Sequence, residues 1–564
     1  MDFPRELNHI WPMHLPTTCA RPCWLGLLLA LALSLVVPGR GGAQATPYVP
    51  NLDPVYRDLD GLIAVGWVRI AIAGQRPYSR LTVARLVVEA RANVARDGGL
   101  QRPRFREALD RLEDAFAAEI MALCVGGGEP CTPLNGPATL RSATADATWA
   151  DSPGRGIPTS YDDLAADYID AELNPLLQKN QGRVLADGGT IGGEALMDLS
   201  LGTLLSVQIR PRIWATAPSG DASDLGITLL EGYVRALLGN LAVEVGRNHV
   251  SRGYGRESGP ILSHNARGLD LVRISLDRPA LLPWVLRVLG PVGASASVAD
   301  MGANSDTPHS KLVIFQGSLR PHPNLEIGAT LLNHQGGNGG PPATFAERLQ
   351  DVFLIYPQGK PISDKVFGAD VRLTFPADGL QLYMEVLTTD DHELFSSPDE
   401  ALVNEAVWIV GANWIGLGEE GRTDLWVEGR RAGVRPHTHH QFTSGLTLDG
   451  RMIGDAMGPL GTGLAAGVDW RGSKHVVALL GAVERYSGGD RYGNMDEEGR
   501  FGWVRALDRP DEIRIRVEAN WARDAEVHRL GTSVRLGYEH VTRTAFTTGA
   551  RSNFLAQVKF DYLW

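Results

Sequence analysis

The segment 552–564, SNFLAQVKFDYLW, places Val558, Phe560, Tyr562 and Trp564 on one side and Lys559 and Asp561 on the other. Successive side chains of an extended chain point to opposite faces, so this spacing predicts a strand with one apolar side. Such a strand needs sheet partners and an apolar medium, and either a soluble sandwich core or a lipid bilayer supplies one. A sharper run separates the two. From Ile513 to Trp521 every odd position is apolar and every even one polar, with Arg514, Arg516 and Glu518 on the polar face. Those charges are costly in a dry core, whereas a transmembrane barrel turns them to its lumen and the apolar set to lipid.

The other end of the chain agrees with export. Arg21 precedes an apolar run over 24–37, followed by Pro38, small residues and Ala43-Gln44-Ala45. This has the form of a signal peptide, residues 1–45, cleaved after Ala45; the run is too short for the roughly 20 residues of a spanning helix. Cys19 and Cys23 leave with it. Cys124 and Cys131, either side of a glycine-rich turn, are then expected to form a short-loop disulfide in an oxidising compartment. Zinc would need further ligands nearby, so no metal and no cofactor is expected. The net charge of −11 provides no basic field to gather nucleic acid.

Residues 46–178 read as a periplasmic helical region with a linker. Asp53-Pro54 is a helix start, followed by Val55, Leu59, Leu62 and Ile63 at helical spacing; Ser79 starts a second helix. Phe105, Leu109, Leu112, Phe116, Ile120 and Leu123 predict a third, and the polar opposite faces predict a small bundle. The first two helices and the turn 74–78 between them resemble the S-layer-homology helix-loop-helix unit. The stretch 134–160, rich in Pro, Gly, Ser, Thr and Ala, reads as linker or long loop, and Asn174-Pro175-Leu176-Leu177 as the end of a short helix.

Residues 190–564 read as the barrel. Alternating segments at 201–209, 241–245, 325–331, 366–375, 380–387, 407–415, 511–521 and 531–538 are bounded by Gly, Asp, Asn or Pro. A tilted spanning strand uses roughly 9–11 residues, so this length holds roughly 16–18 antiparallel strands. Polar, turn-rich runs at 333–342, 390–400 and 486–500 read as extracellular loops or a lumen plug. The fold class is thus mainly β, a transmembrane antiparallel barrel with an N-terminal helical bundle. A closing strand that ends on an aromatic resembles those of bacterial outer-membrane barrels, and the resemblance implies that Phe560, Tyr562 and Trp564 are read by the barrel-insertion machinery.

Two internal blocks stand out. One runs from Gly246-Arg247-Asn248-His249 through Ser251-Arg252-Gly253-Tyr254-Gly255 to Gly259-Pro260 and Ser263-His264-Asn265-Ala266. The other contains His437, His440-Gln441-Phe442-Thr443-Ser444-Gly445, Asp449-Gly450-Arg451-Met452-Ile453-Gly454 and Gly458-Pro459. Their order resembles the capsule assembly protein Wzi family. The resemblance implies a non-catalytic outer-membrane lectin that binds surface or capsular polysaccharide, with outer-membrane lipid around the barrel. Sugars are held by guanidinium groups, amides and aromatic faces, which makes Arg247, Asn248, His249, Arg252 and Tyr254 candidate ligand-binding residues. No residue role is carried over from the family. A general or sugar-permeable porin is one alternative; another is a lipid hydrolase using His249 and Ser251 on the lipid face, with Asn265 as third member. His437, His439 and His440 lack a carboxylate or Cys that would complete a metal set.

Overall fold

A computed structural model describes residues 44–97, 102–123, 134, 136–151, 155–156, 172–173, 176, 178–219, 222–353, 362–389, 401–402, 405–433, 436–439, 441–488, 490–495, 501–505, 509–524 and 530–564. Residues 1–43 of the expected signal peptide, Cys124 and Cys131, the expected loop at 390–400 and His440 lie outside them.

Eighteen antiparallel strands close into one barrel. In chain order they are β1 (Gly136–Ala150), β2 (Gly188–Leu201), β3 (Leu205–Pro218), β4 (Asp224–Leu238), β5 (Leu241–Asn248), β6 (Leu269–Leu276), β7 (Pro291–Asp300), β8 (Lys311–His322) and β9 (Leu325–Gln335). There follow β10 (Ser363–Phe375), β11 (Leu380–Thr389), β12 (Val407–Leu417), β13 (Thr423–Ala432), β14 (Gly461–Arg471), β15 (His475–Tyr486), β16 (Glu512–Arg523), β17 (Leu530–Thr542) and β18 (Ala550–Leu563). Each pairs with its sequence neighbour, and β18 closes on β1, with Ser142 opposite Leu563 and Ala150 opposite Leu555. Closure leaves no unpaired edge, the condition for crossing a bilayer with strands.

The alternation sorts as expected. Arg514, Arg516 and Glu518 are buried inside, while Ile515 and Val517 are 47% and 53% exposed on the outer wall, as are Phe560 and Trp564 on the closing strand. Inside, the charges are matched: Arg514 pairs with Glu484 at 2.9 Å and Glu539 at 2.8 Å, and Arg212 with Glu194 at 2.8 Å.

Two expectations are corrected. The linker read over 134–160 contains β1, so the barrel begins at Gly136, well before residue 190. Its Ala, Ser and Thr residues lack the bulky apolar set that marks a strand, yet small side chains serve a wall packed on both sides. The segment 201–209 straddles the turn 202–204, where Gly202 adopts φ +60°, so it holds the end of β2 and the start of β3.

The connections fall into two classes. At one mouth they are tight, as at 202–204, 239–240, 323–324 and 472–474; at the other they are long, as at 249–268, 336–362 and 433–460. The N-terminal helices fill the short-turn mouth. They are α1 (Val55–Ala64), α2 (Arg80–Asp97), α3 (Pro103–Ala115) and α4 (Ala117–Ala122). Asp53 Oδ1 caps the first by accepting from the Val55 amide at 2.9 Å. The third expected helix breaks at Phe116, which stays in the core while Arg80 covers its ring and pairs with Glu119 at 2.5 Å. Tyr56, Leu59, Leu62, Val83, Val87, Phe105, Leu109 and Phe116 form one core that includes Ile415 of the barrel wall. Arg57–Asp524 at 2.9 Å and Arg422–Glu107 at 2.8 Å bind the helices to the rim, and Arg104 chelates Asp424.

Candidate functional site

After Asn248 the chain leaves the wall. Residues 249–266 turn inward from the long-loop mouth and reach the N-terminal region inside the barrel, where Ser251-Arg252 pairs with Gln75-Arg76 as a short antiparallel ribbon. Asn51 Nδ2 donates to the His249 carbonyl at 3.0 Å, and the Gly253 amide to the Gly74 carbonyl at 3.1 Å.

Inward carboxylates of the wall hold this plug by its backbone. Glu385 accepts the amides of Tyr254 and Gly255 at 2.6 and 2.7 Å. Glu428 accepts those of Arg256 at 2.6 Å and Glu257 at 3.3 Å, together with the Tyr383 hydroxyl at 2.8 Å. Glycine is required where the segment presses on the wall. Gly253 sits at φ +110°, and a Cβ there would strike the Glu385 carboxylate. The Glu257 carboxyl is held well below the usual carboxylate range, against the cost of burial, by the Arg516 guanidinium and by Lys179 at 3.1 Å.

The second block forms the cap over this plug. The Ser263 amide donates to Ile453 O at 2.8 Å, Ser263 Oγ to Gly454 O at 2.7 Å, and Asn265 Nδ2 to Met452 O at 2.9 Å. Val250, Ile261, Leu262, Leu446, Ile453 and Met457 share one apolar cluster. Gly454 admits no side chain, because a Cβ would meet both the His437 ring and the Pro260 carbonyl. Burial pushes the imidazoles at this junction down, His264 to about 3 and His437 to about 4, and His249 falls with them. A cavity of about 450 Å³ with a mixed polar and apolar lining remains between helices and plug, bordered among others by Asp60, Arg76, Tyr254, Trp426 and Asp469.

The five candidate ligand-binding residues divide. Arg247, at the end of β5, is partly exposed and chelates Asp270 through Nε and Nη2, both at 2.7 Å. The other four are turned inward. Asn248 donates to Glu244 at 2.7 Å, His249 lies 6.4 Å from the His264 ring, and Arg252 donates to Asp370 and Ser318 at 2.8 and 2.7 Å. The Tyr254 hydroxyl donates to Glu326 at 3.0 Å. Arg247 instead meets residues that, Asp449 of the second block apart, were not singled out in the sequence. Arg267 reaches Asp270 at 3.1 Å and pairs with Asp449, which also accepts from Asn304 at 2.9 Å. The string Arg247–Asp270–Arg267–Asp449–Asn304 therefore runs across the long-loop mouth, joining β5, β6, the loop 301–310 and the cap. Its sequence signal was proximity: Arg267 follows Ala266, and Asp449 opens the Gly-Arg turn of the second block.

The alternative readings fit this geometry poorly. A hydrolase needs His249 and Ser251 on the lipid face, but β5 ends at Asn248 and His249 is buried within the barrel. A porin needs a clear lumen, and here helices and plug meet inside it. Among the described residues no group of three or more His, Cys, Asp or Glu is placed to hold a metal ion.

Lipid-facing strands, inward charges and a lumen stopped from both ends define a closed barrel of the outer-membrane type. The sequence profile of the capsule assembly protein Wzi matches residues 169–539. This chain belongs to the Wzi capsule assembly family. No curated protein matches it. Among solved structures, Wzi of Escherichia coli, an outer-membrane protein involved in group 1 capsule assembly and a carbohydrate-binding β-barrel, is similar with a TM-score of 0.64 at 15% identity, over 92% of this chain and 100% of that one. Two others are OccD3 of Pseudomonas aeruginosa, at 0.43 and 11% over 77% of this chain and 93% of that one, and OccAB2 of Acinetobacter baumannii, at 0.42 and 8% over 76% and 98%.

Proposed function

We propose that this protein is a non-catalytic outer-membrane lectin of capsule assembly, which binds surface or capsular polysaccharide at its long-loop face. Family membership across 169–539 is the observation that carries this reading. The plugged lumen supports it, because a barrel stopped by its own chain offers a polymer a surface and no conduit. In this reading the signal peptide 1–45 exports the chain, the short-turn mouth with its helices faces the periplasm, and Cys124 and Cys131 are bonded. Phe560, Tyr562 and Trp564 present the closing strand to the insertion machinery.

Arg247 is the sugar contact, assisted by Arg267, Asp270, Asp449 and Asn304. These are planar donors and acceptors already held in place by one another, so little ordering entropy remains to be lost on binding. Asn248, His249, Arg252 and Tyr254 act by holding the plug beneath that surface. The test is a glycan-array screen of the folded, detergent-solubilised protein, followed by Arg247→Ala. Retained binding in the variant would remove Arg247 from the site, and solute-permeable channels without glycan affinity would overturn the lectin.

A further inference from the structure

The connection 277–290 between β6 and β7 differs from every tight turn at its mouth. It carries Leu281-Leu282-Pro283-Trp284-Val285-Leu286-Arg287-Val288-Leu289, and Trp284, Val285 and Val288 are 84%, 81% and 75% exposed. Contiguous apolar exposure of this kind marks a surface that something covers.

We propose that this loop is a rim anchor, which docks into the phospholipid leaflet at the short-turn mouth with Trp284, Val285 and Val288 in the acyl–headgroup boundary and Arg287 at the level of the lipid phosphates. Three observations favour lipid as the occupant. First, the base of the loop is fixed inside the rim: Asp277 accepts from Arg235 at 2.5 Å and Ser79 at 2.7 Å, and its carbonyl accepts from Thr82 at 2.9 Å. The tip leaves in the other direction. It lies beside β7 and reaches the end of β8, where Gly290, at φ +68°, lets the backbone close on Arg320.

Second, the loop joins two strands whose outer faces are apolar, where Val272 and Ile274 of β6 and Val298 of β7 are themselves exposed. Third, the wall is shortest here. β5 and β6 have 8 residues each, where a tilted span uses roughly 9–11. An apolar loop lying along the rim extends the apolar surface of this short stretch of wall at its short-turn end, as flanking anchors do where a span is shorter than the bilayer. Trp prefers that interface, and an exposed Arg with no ion pair among the described residues is free to meet a phosphate there.

This inference rests on the barrel spanning a membrane, and the experiment separates the two. The full chain carrying p-benzoylphenylalanine in place of Val285, Ile515 or Glu419 is reconstituted into phosphatidylethanolamine–phosphatidylglycerol vesicles, irradiated, and analysed by mass spectrometry for phospholipid adducts. Ile515 reports the outer wall and Glu419 another connection at the same mouth. The expected result is adducts at Val285 in yield comparable to Ile515, and none at Glu419. Adducts at Ile515 without adducts at Val285, or a Val285 cross-link to a second copy of the chain, overturn the rim anchor. Absence at Ile515 overturns the membrane reading itself. Should the Val285 variant fail to fold, the same probe at Val288 reads the same surface.

Discussion

Arg252 shows what a single side chain does in this barrel. Its guanidinium is buried among Asp370, Ser318 and the Gly317 carbonyl, so truncation strands the Asp370 carboxylate without a counter-charge. Removing one partner of such a pair costs roughly 3–5 kcal/mol. Arg252→Ala is therefore expected to lower the thermal midpoint of the purified protein, and adding Asp370→Asn to recover part of the loss; equal midpoints for wild type and Arg252→Ala would contradict the pair. Arg247 and Arg252 are five residues apart and look alike in the sequence, yet one is placed at the surface and the other against a carboxylate across the barrel. Only the end of β5 at Asn248 separates them, and strand ends set by long-range pairing leave little local trace. Both accordingly stand among the candidate ligand-binding residues of the sequence without distinction, whereas Arg267 and Asn304, which complete the string around Arg247, were passed over.

The plug and cap act as elements. His264 packs beside His249 and feels Arg76 and Lys179, while His437 lies against Gly454. An unfolded imidazole titrates near 6.5. Burial depresses the folded values to about 3 and about 4, so the unfolded chain binds more protons throughout the interval between. Stability from this junction is complete above about pH 6.5 and is lost as pH falls toward the folded values, by about 2 kcal/mol per histidine at pH 5. Protection factors across 249–266 and 441–460, referred to the intrinsic exchange rate at each pH, should fall between pH 7 and pH 5; unchanged protection factors would contradict the neutral, buried histidines. A second expectation concerns fit. Gly253→Val places a side chain on the Glu385 carboxylate at a φ that β-branched residues avoid, so the plug seats badly. Planar bilayers should show ion conductance for the variant and near silence for the wild type, whereas equal currents would mean that the plug does not close the barrel.

Across the whole molecule, the alternation at 513–521 and 552–564 was enough to assign the two faces of two strands, because lipid and lumen impose opposite chemistry on adjacent residues; the barrel itself was read from these faces together with the expected signal peptide and the Wzi-like blocks. Of the strands that none of the alternating segments covered, β1, β7 and β14 show the reason most plainly. Their runs of Ala, Gly, Ser and Thr carry weak alternation, and they become strands through their neighbours. Closure of β18 on β1 makes the C-terminal residues part of the wall, and under the role proposed for Phe560, Tyr562 and Trp564, deleting 560–564 is expected to abolish insertion by the barrel machinery, scored as heat-modifiable migration. Titration of purified capsular polysaccharide onto the reconstituted protein shows whether a barrel closed to solutes binds polysaccharide on its long-loop face. Saturable binding is predicted, weakened about tenfold or more by Arg247→Ala with Arg267→Ala, the loss expected for one or two charge-assisted hydrogen bonds. Absence of binding by the wild type, or binding unchanged in the double variant, would contradict the account.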